Sequence, residues 1–327
     1  MTLPYDKFAA VVVIPTVATV QRSRLRRWLA RGSVRHIEGT APLLKNVLAV
    51  LNLAYPESGL AALRMWGQTG DRPNVWLAAA DPIYLEPRLD HLRLHALHGE
   101  NMPSADLRFV FDALQATLAS DNSDQRRYGF ARIKGSGYVR AERPLATAQE
   151  PAASIDGGLP NEFMPAGDSS GSYRNLRSEV EMVLHDHEVN RRRAENGLPP
   201  VNSLWLWGGG YAPEQNTEPR PPLFASEPLL RGYWYSKTGV VADWPGSIAQ
   251  CLDASVAGFV AVADMAEDDE NAIAVETVLD ELMTALSAKR VSEVVLLTGD
   301  GLAIRISPSD RWRIWRRQWP LQGTSGE

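Results

Sequence analysis

Two kinds of hydrophobic pattern alternate along the chain. Short continuous apolar runs occupy residues 8–14, 74–80, 203–207, 258–263 and 294–298. Such runs, bounded by Gly, Pro or Asp, are typical of buried strands. Between them, apolar residues recur every three or four positions over 105–118, 174–195 and 267–290, which predicts amphipathic helices. The alternation predicts an α/β fold with a doubly wound, mostly parallel sheet.

Chain length and composition suggest how this sheet is divided. The 327 residues are 44% apolar and 22% charged, enough for two domains or for a core with an insertion. We expect a first part of the core over residues 1–73 and an inserted, smaller α+β region over 74–172. The insertion ends in a Pro/Gly/Ser-rich loop, interpreted as a flexible linker. The second part of the core then covers 173–327.

Two further elements are expected near the end of the chain. Residues 233–237 read as a short strand. A C-terminal hairpin pairs residues 302–306 with a strand that starts at Arg311, in a segment running to Trp319 that interleaves arginine with tryptophan. Because Trp and Arg are enriched at interfaces, this segment is a candidate for self-association or for a protein partner.

The strand over 203–207 leads into three glycines, Gly208, Gly209 and Gly210. Ligands of open α/β sheets bind just beyond the carboxyl ends of strands, and glycine lets a backbone approach a ligand closely. The glycines are therefore candidate ligand-binding residues. A turn that packs tightly under the neighbouring tryptophans explains them equally well.

The helix predicted before this strand carries His187, Asn190 and Arg193 on one face, at three-residue steps. Imidazole, amide and guanidinium groups together could bind a phosphate or carboxylate, so we expect this face to meet the glycines. Solvated polar groups on a helix surface are the alternative.

Aspartates follow two of the predicted strands, Asp264 after 258–263 and Asp300 after 294–298. Two carboxylates at neighbouring strand ends could hold Mg²⁺ or Mn²⁺, which prefer oxygen ligands. A helix cap or a solvated loop would explain each aspartate as well.

Several function classes are disfavoured by the sequence. The formal charge of −5 gives no general attraction to nucleic acid, and no apolar run is long enough for a membrane helix. The single cysteine, Cys251, fits a reducing compartment and a buried helix position, so we expect a cytoplasmic protein. Neither a phosphate-binding loop nor a nucleophile-elbow motif is present.

Two segments resemble a bacterial family of phosphoglycerate-mutase-like proteins, which includes the RpfE-type regulatory protein of plant-pathogenic bacteria. They are AADPIYLEP, from Ala79 to Pro87, and EVEMVLHDHEVNRRRAENGLPPVNSLWLWGGG, which ends at Gly210. The second is also similar, more distantly, to archaeal-type cofactor-independent phosphoglycerate mutases of the alkaline-phosphatase superfamily. The resemblance implies an alkaline-phosphatase-like core and places the nucleophilic serine near Ser58.

The same resemblance implies two metal ions bound by Asp and His ligands, and several of those ligands are missing. The last core strand keeps Asp300 but has Gly301 where the family has histidine, and the segment after Asp264 contains no histidine. We therefore expect a degenerate protein that binds a phosphorylated or carboxylated ligand or a partner in a regulatory role. An active phosphomutase or phosphohydrolase with a rearranged metal site is the alternative.

Overall fold

In the computed structural model, the residues described are 9–37, 41–119, 128–166, 170–255, 258–265, 270–313 and 315–316. The strands are β1 Ala9–Ile14, β2 Ser33–His36, β3 Leu77–Pro87, β4 Leu92–Ala96, β5 Tyr128–Ile133, β6 Ser136–Ala141, β7 Ser203–Gly210, β8 Leu223–Phe224, β9 Val241–Ala242, β10 Phe259–Val262, β11 Glu293–Thr298 and β12 Leu302–Ile306. The helices are α1 Ser23–Arg31, α2 Leu43–Val50, α3 Leu60–Thr69, α4 Ser104–Leu118, α5 Ser170–His185, α6 Glu188–Glu195, α7 Pro228–Tyr235, α8 Ile248–Asp253 and α9 Glu270–Ser287.

The chain divides into two units. The first comprises residues 1–55 and 216–327, and the second comprises 56–215. The second unit is thus inserted into the first along the sequence. Its range extends beyond the predicted insertion of 74–172 at both ends, because α3 and β7 pack with β3 inside it. In the part of the chain that the structure describes, no helix is long and apolar enough to cross a bilayer.

The first unit contains a seven-stranded sheet in the order β2-β12-β11-β1-β10-β8-β9. The strands from β11 to β9 are parallel, and β12 and β2 extend one edge in antiparallel fashion. Alternate residues of β1, including Ala10 and Val12, join a core formed with α1, α8 and α9. Val11 is also buried, so β1 is covered on both faces, as parallel strands normally are. The α/β fold with a mostly parallel sheet is confirmed.

The second unit is an α+β structure built around β3. This strand pairs antiparallel with β7 along one side and with β6 and then β4 along the other. The sequence predicts that the strand stops at Asp81-Pro82, but it continues to Pro87. β5 and β6 form a hairpin with its turn at Lys134 and Gly135, whose φ angles of 46° and 80° match the turn geometry preferred between twisted strands.

Three local predictions are wrong. The single helix over 174–195 is two helices, because His187 caps α6 by accepting a hydrogen bond from the Val189 amide. Residues 233–237 fall largely in α7 and its C-terminal cap, since Glu227 accepts the Leu229 and Leu230 amides and Pro228 suits the first helical position. The strand expected from Arg311 is absent from the described residues, where a 3₁₀ turn runs over Pro308–Trp312.

The capping interactions of Asp310 explain that turn. Its carboxylate accepts hydrogen bonds from the Ser307 amide and hydroxyl, at 2.8 and 3.0 Å. Residues 317–319 of the predicted hairpin lie outside the described residues, as does most of the acidic block at 267–270. Trp312 and Trp315 are 68% and 72% exposed, and their role in self-association stays a prediction. Cys251 is buried in α8, as expected, and burial raises the pKa of its thiol to about 12.

Candidate functional site

Three neighbouring parallel strands end together in the first unit. β1 lies between β10 and β11, so the segments after these strands share the carboxyl edge of the sheet. They carry Thr16 after β1, Asp264 after β10, and Thr298 with Asp300 at the end of β11. This edge is where open α/β sheets usually bind ligands.

The carboxylate of Asp300 is held by hydroxyl groups on both of its oxygens. Thr16 Oγ1 donates to Asp300 Oδ2 at 2.7 Å, and Thr298 Oγ1 donates to Asp300 Oδ1. The Thr298 hydroxyl also accepts the Leu302 amide at 3.0 Å, which fixes its orientation. Asp300 itself is exposed. The edge therefore presents a pre-oriented carboxylate to solvent.

The acidic donors at this edge come from different strands. Asp264 and Asp300 leave strands separated by β1, which places those strands about 10 Å apart at the usual spacing between neighbours. Among the described residues, no group of three or more His, Cys, Asp or Glu side chains could hold a metal ion. Each aspartate's role as a metal ligand stays a prediction.

Ser58 lies next to the three glycines in the second unit. It is exposed and precedes Gly59, which has a φ of 76° and caps α3. The Gly59 amide donates to the Gly209 carbonyl at 3.1 Å. A Cβ on Gly210 would lie 3.3 Å from the Ser58 carbonyl carbon. Ser58 is thus placed at the close contact between the start of α3 and the end of β7, and its role as a nucleophile stays a prediction.

Close packing accounts for the glycines. Gly208 has a φ of 62°, and a Cβ on it would meet the Leu60 Cβ at 2.9 Å. The amides of Gly208 and Gly209 donate to the Ala148 carbonyl and to Thr147 Oγ1, at 2.8 and 2.9 Å. The backbone of α3 thus packs directly on the end of β7. These two amides have partners inside the protein, which favours the packing interpretation over a ligand loop.

The predicted meeting of His187, Asn190 and Arg193 with the glycines is wrong. Asn190 donates to the Val201 carbonyl and accepts the Val201 amide, at 2.9 and 2.8 Å. Val201 lies just before the start of β7, whereas Gly208–Gly210 form the end of this eight-residue strand. The contact of Asn190 is therefore at the opposite end of β7 from the glycines. Helical spacing correctly indicates that Asn190 and Arg193 lie one turn apart, but the element they face could not be read from it.

The polar groups of Arg193 and His187 have partners inside the protein. Arg193 is fully buried and donates to Asp106, to the Asn101 carbonyl and to the Pro199 carbonyl, at 2.8, 2.7 and 2.8 Å. His187 uses Nδ1 to cap α6. These contacts fasten α6 to the rest of the second unit. A ligand-binding role for the three residues stays a prediction.

The sequence analysis missed a polar network around Arg64. Its guanidinium bonds Asp81, the Tyr138 hydroxyl and the Gly137 carbonyl, at 3.1, 3.0 and 2.9 Å. Trp207 Nε1 donates to the other Asp81 oxygen at 2.6 Å. The pKa of Arg64 is raised, because burial, which lowers it, is outweighed by Asp81 and Tyr138 together.

Arg64 and Asp81 also line a cavity of about 210 Å³ in the second unit. Since the two charges neutralise each other, the cavity offers little attraction to an anion. In the sequence, this network is indicated by Asp81 alone, which follows the apolar run at 74–80. Nothing in the local pattern connects Arg64 in α3 with a strand partner.

Comparison with known proteins gives partial matches. No family profile matches the chain. A 2,3-bisphosphoglycerate-independent phosphoglycerate mutase of Methanosarcina mazei is 38% identical over 141 residues, which cover 42% of this chain and 34% of that protein. The corresponding mutase of Methanosarcina barkeri is 28% identical over 126 residues, covering 38% of this chain and 31% of that protein. The chain therefore matches about a third of the length of each relative.

A comparison with solved structures gives a match that covers more of the chain. The cofactor-independent phosphoglycerate mutase of Thermoplasma acidophilum is 17% identical, with coverage of 93% of this chain and 90% of that chain, at a TM-score of 0.40. The matches in sequence establish a phosphoglycerate-mutase-like relationship at low identity.

Proposed function

We propose that the chain is a phosphoglycerate-mutase-like protein with a binding or regulatory role, and that it lacks two-metal phosphoryl transfer. Its ligand would be a small phosphorylated or carboxylated compound, or a protein partner. A regulatory role of the RpfE type is the finer form of the proposal. The observation that supports the proposal is at the carboxyl edge of the parallel sheet. There, two threonine hydroxyls hold Asp300 at a position where a two-metal enzyme needs a cluster of ligands.

Physical chemistry supports this proposal. Phosphoryl transfer through a serine needs an activated nucleophile together with positive charge on the transferring group. In the residues described directly after β1, β10 and β11, the charged side chains are the carboxylates of Asp264 and Asp300, which supply no positive charge. Losing one such catalytic element commonly costs about 10²–10³ in rate, and several are missing together.

A coupled mutase assay with 3-phosphoglycerate and added Mn²⁺ tests the proposal. We expect turnover well below about 1 s⁻¹, the low end of ordinary enzymes. The variants are Ser58→Ala and Asp300→Asn, with Ser292→Ala as a matched control at another exposed serine. Elemental analysis of the purified protein should find fewer than two bound ions per chain.

The alternative function, an active phosphomutase with a rearranged metal site, predicts different results. Turnover near or above about 1 s⁻¹ that disappears in Ser58→Ala but not in Ser292→Ala would establish it. Two ions per chain that are lost in Asp300→Asn would contradict the proposed loss of the metal site.

A further inference from the structure

The first unit has a larger cavity, of about 410 Å³, between α1, the C-terminal end of α9 and the 3₁₀ turn after β12. This volume is in the range of small-molecule sites. Five positively charged side chains line it: Arg24, Arg27, Arg31, Lys289 and Arg311. The cavity is therefore strongly cationic, although the whole chain has a formal charge of −5.

The arginines of α1 form a stripe on one face of the helix. Arg24, Arg27 and Arg31 follow at steps of three and four residues, so their side chains are neighbours. Like charges at this spacing destabilise a helix, and α1 has no acidic residue in its first turn to offset them. Arg22, by contrast, pairs with Glu276 and Asp280 at 2.9 and 2.5 Å.

Within the described residues, none of the five cations that line the cavity forms an ion pair with a carboxylate. Among the described residues, the lining has one acid, Asp310, which is buried and already paired with Arg313 at 3.0 Å. Arrangements that weaken a helix without a compensating partner are expected at functional positions. An anion bound in the cavity would supply such a partner.

Negative helix ends near the cavity do not cancel this charge. The cavity lies at the C-terminal ends of α1 and α9, each worth about half an elementary negative charge. Arg313 and Arg316 already donate to the carbonyls of Arg31 and Gly32, at 3.2 and 3.0 Å. Five full positive charges outweigh the two partial negative ones.

The lining also has an apolar part. Trp28 is half-buried and sits on α1 between the arginines, and the remaining apolar wall comes from Met283, Leu286 and Ile306. An indole face beside guanidinium groups is suited to an aromatic ring that carries phosphates. The lining thus selects a ligand with one aromatic part and one polyanionic part.

The cavity lies away from the edge that carries Thr16 and Asp300. Ile306 in its lining pairs with Val294 near the start of β11, whereas Asp300 follows the end of the same strand. The cavity is therefore at the amino edge of the parallel strands, and the proposed function assigns nothing to it.

We infer that this cavity binds a nucleoside polyphosphate, with the phosphates on the arginine stripe and the base against Trp28. The inference goes beyond the proposed function, which concerns the carboxyl edge of the sheet. Its test measures ADP binding, whereas the proposed function is tested by turnover and metal content, so the two failures are distinguishable.

Isothermal titration of the full chain with ADP, inorganic pyrophosphate and adenosine tests the inference. We expect ADP to bind more tightly than either pyrophosphate or adenosine. Arg24→Gln combined with Arg27→Gln should weaken ADP binding by about tenfold or more, because charge-assisted contacts to phosphate are lost. Trp28→Leu should weaken ADP binding and leave pyrophosphate binding unchanged.

The matched control for Arg27→Gln alone is Arg26→Gln, which removes one positive charge from the same helix outside the lining. Lys289→Asn removes a cation at the far wall, where asparagine tolerates the φ of 59°. ADP binding that is absent at millimolar concentration, or equally weakened by Arg26→Gln, overturns the inference. A single-stranded oligonucleotide that binds more tightly than ADP would also overturn it, in favour of nucleic acid.

Circular dichroism spectra of each variant must match those of the wild type. Lys289→Asn provides a second charge variant if the double arginine variant does not fold.

Discussion

Arg193 shows how a charged residue can be read in two ways from sequence. Its spacing with Asn190 suggests an anion site, but its side chain is fully buried and bonds Asp106 and two backbone carbonyls. A buried guanidinium whose hydrogen bonds are all made inside the protein stabilises the fold, since an added anion would have to displace these partners. The sequence identifies the residue as important and cannot supply the partner, because Asp106 lies 87 positions away.

Replacing Arg193 should therefore affect stability. Arg193→Met removes the charged partner of the Asp106 carboxylate and the donor to two carbonyls, and we expect a loss of about 3–5 kcal/mol. Arg193→Lys should recover only part of it, because an ammonium cannot reproduce the planar geometry of the guanidinium. Urea unfolding followed by circular dichroism measures the difference.

Arg191→Met is the matched control for Arg193. It lies on the same helix and is exposed, so its change should stay within about 0.5 kcal/mol. Equal losses of stability at the two positions would contradict the stabilising role assigned to the buried Arg193 side chain.

At the scale of elements, the packing of α3 on β7 depends on Gly208. Gly208→Ala would force a Cβ into the left-handed φ of 62° and against Leu60 at 2.9 Å. Gly70→Ala, at the other end of α3, meets a φ of 83° and no atom within 4 Å. We expect Gly70→Ala to cost about 1 kcal/mol from backbone strain alone, and Gly208→Ala to cost more.

Chemical denaturation of both variants separates the cost of packing from that of backbone strain. Similar losses of stability would mean that α3 shifts away from β7 at no cost. The close approach of the two elements would then not be what requires glycine at position 208.

The elements also show what sequence patterns can and cannot predict. Parallel strands such as β1 and β11 were predictable, since their continuous apolar runs and flanking breakers are local features. The break between α5 and α6 was missed because His187, which caps α6, is seldom a capping residue. The cavity beside α1 was also missed, since its walls come from α1, α9 and the turn after β12, which are far apart in the sequence.

At the scale of the whole molecule, residues 56–215 form a unit with their own core. That core joins Trp76, just before β3, and Ala78 of β3 to α4, α5 and Leu206 of β7. The chain enters and leaves the unit close together, since the Gly59 amide bonds the Gly209 carbonyl at 3.1 Å. These features are those of a domain inserted into another domain's sequence.

We therefore propose that 56–215 is an independent domain and that the shorter range of 74–172 is not. The shorter fragment lacks β7, which pairs with β3 over most of that strand's length, and it lacks Tyr173, Leu176 and Val180 of α5. Expressed alone, 56–215 should unfold in urea in one cooperative transition, because its core is complete. The 74–172 fragment should show no such transition. A cooperative transition in 74–172, or none in 56–215, would move the domain boundaries back to those expected from the sequence.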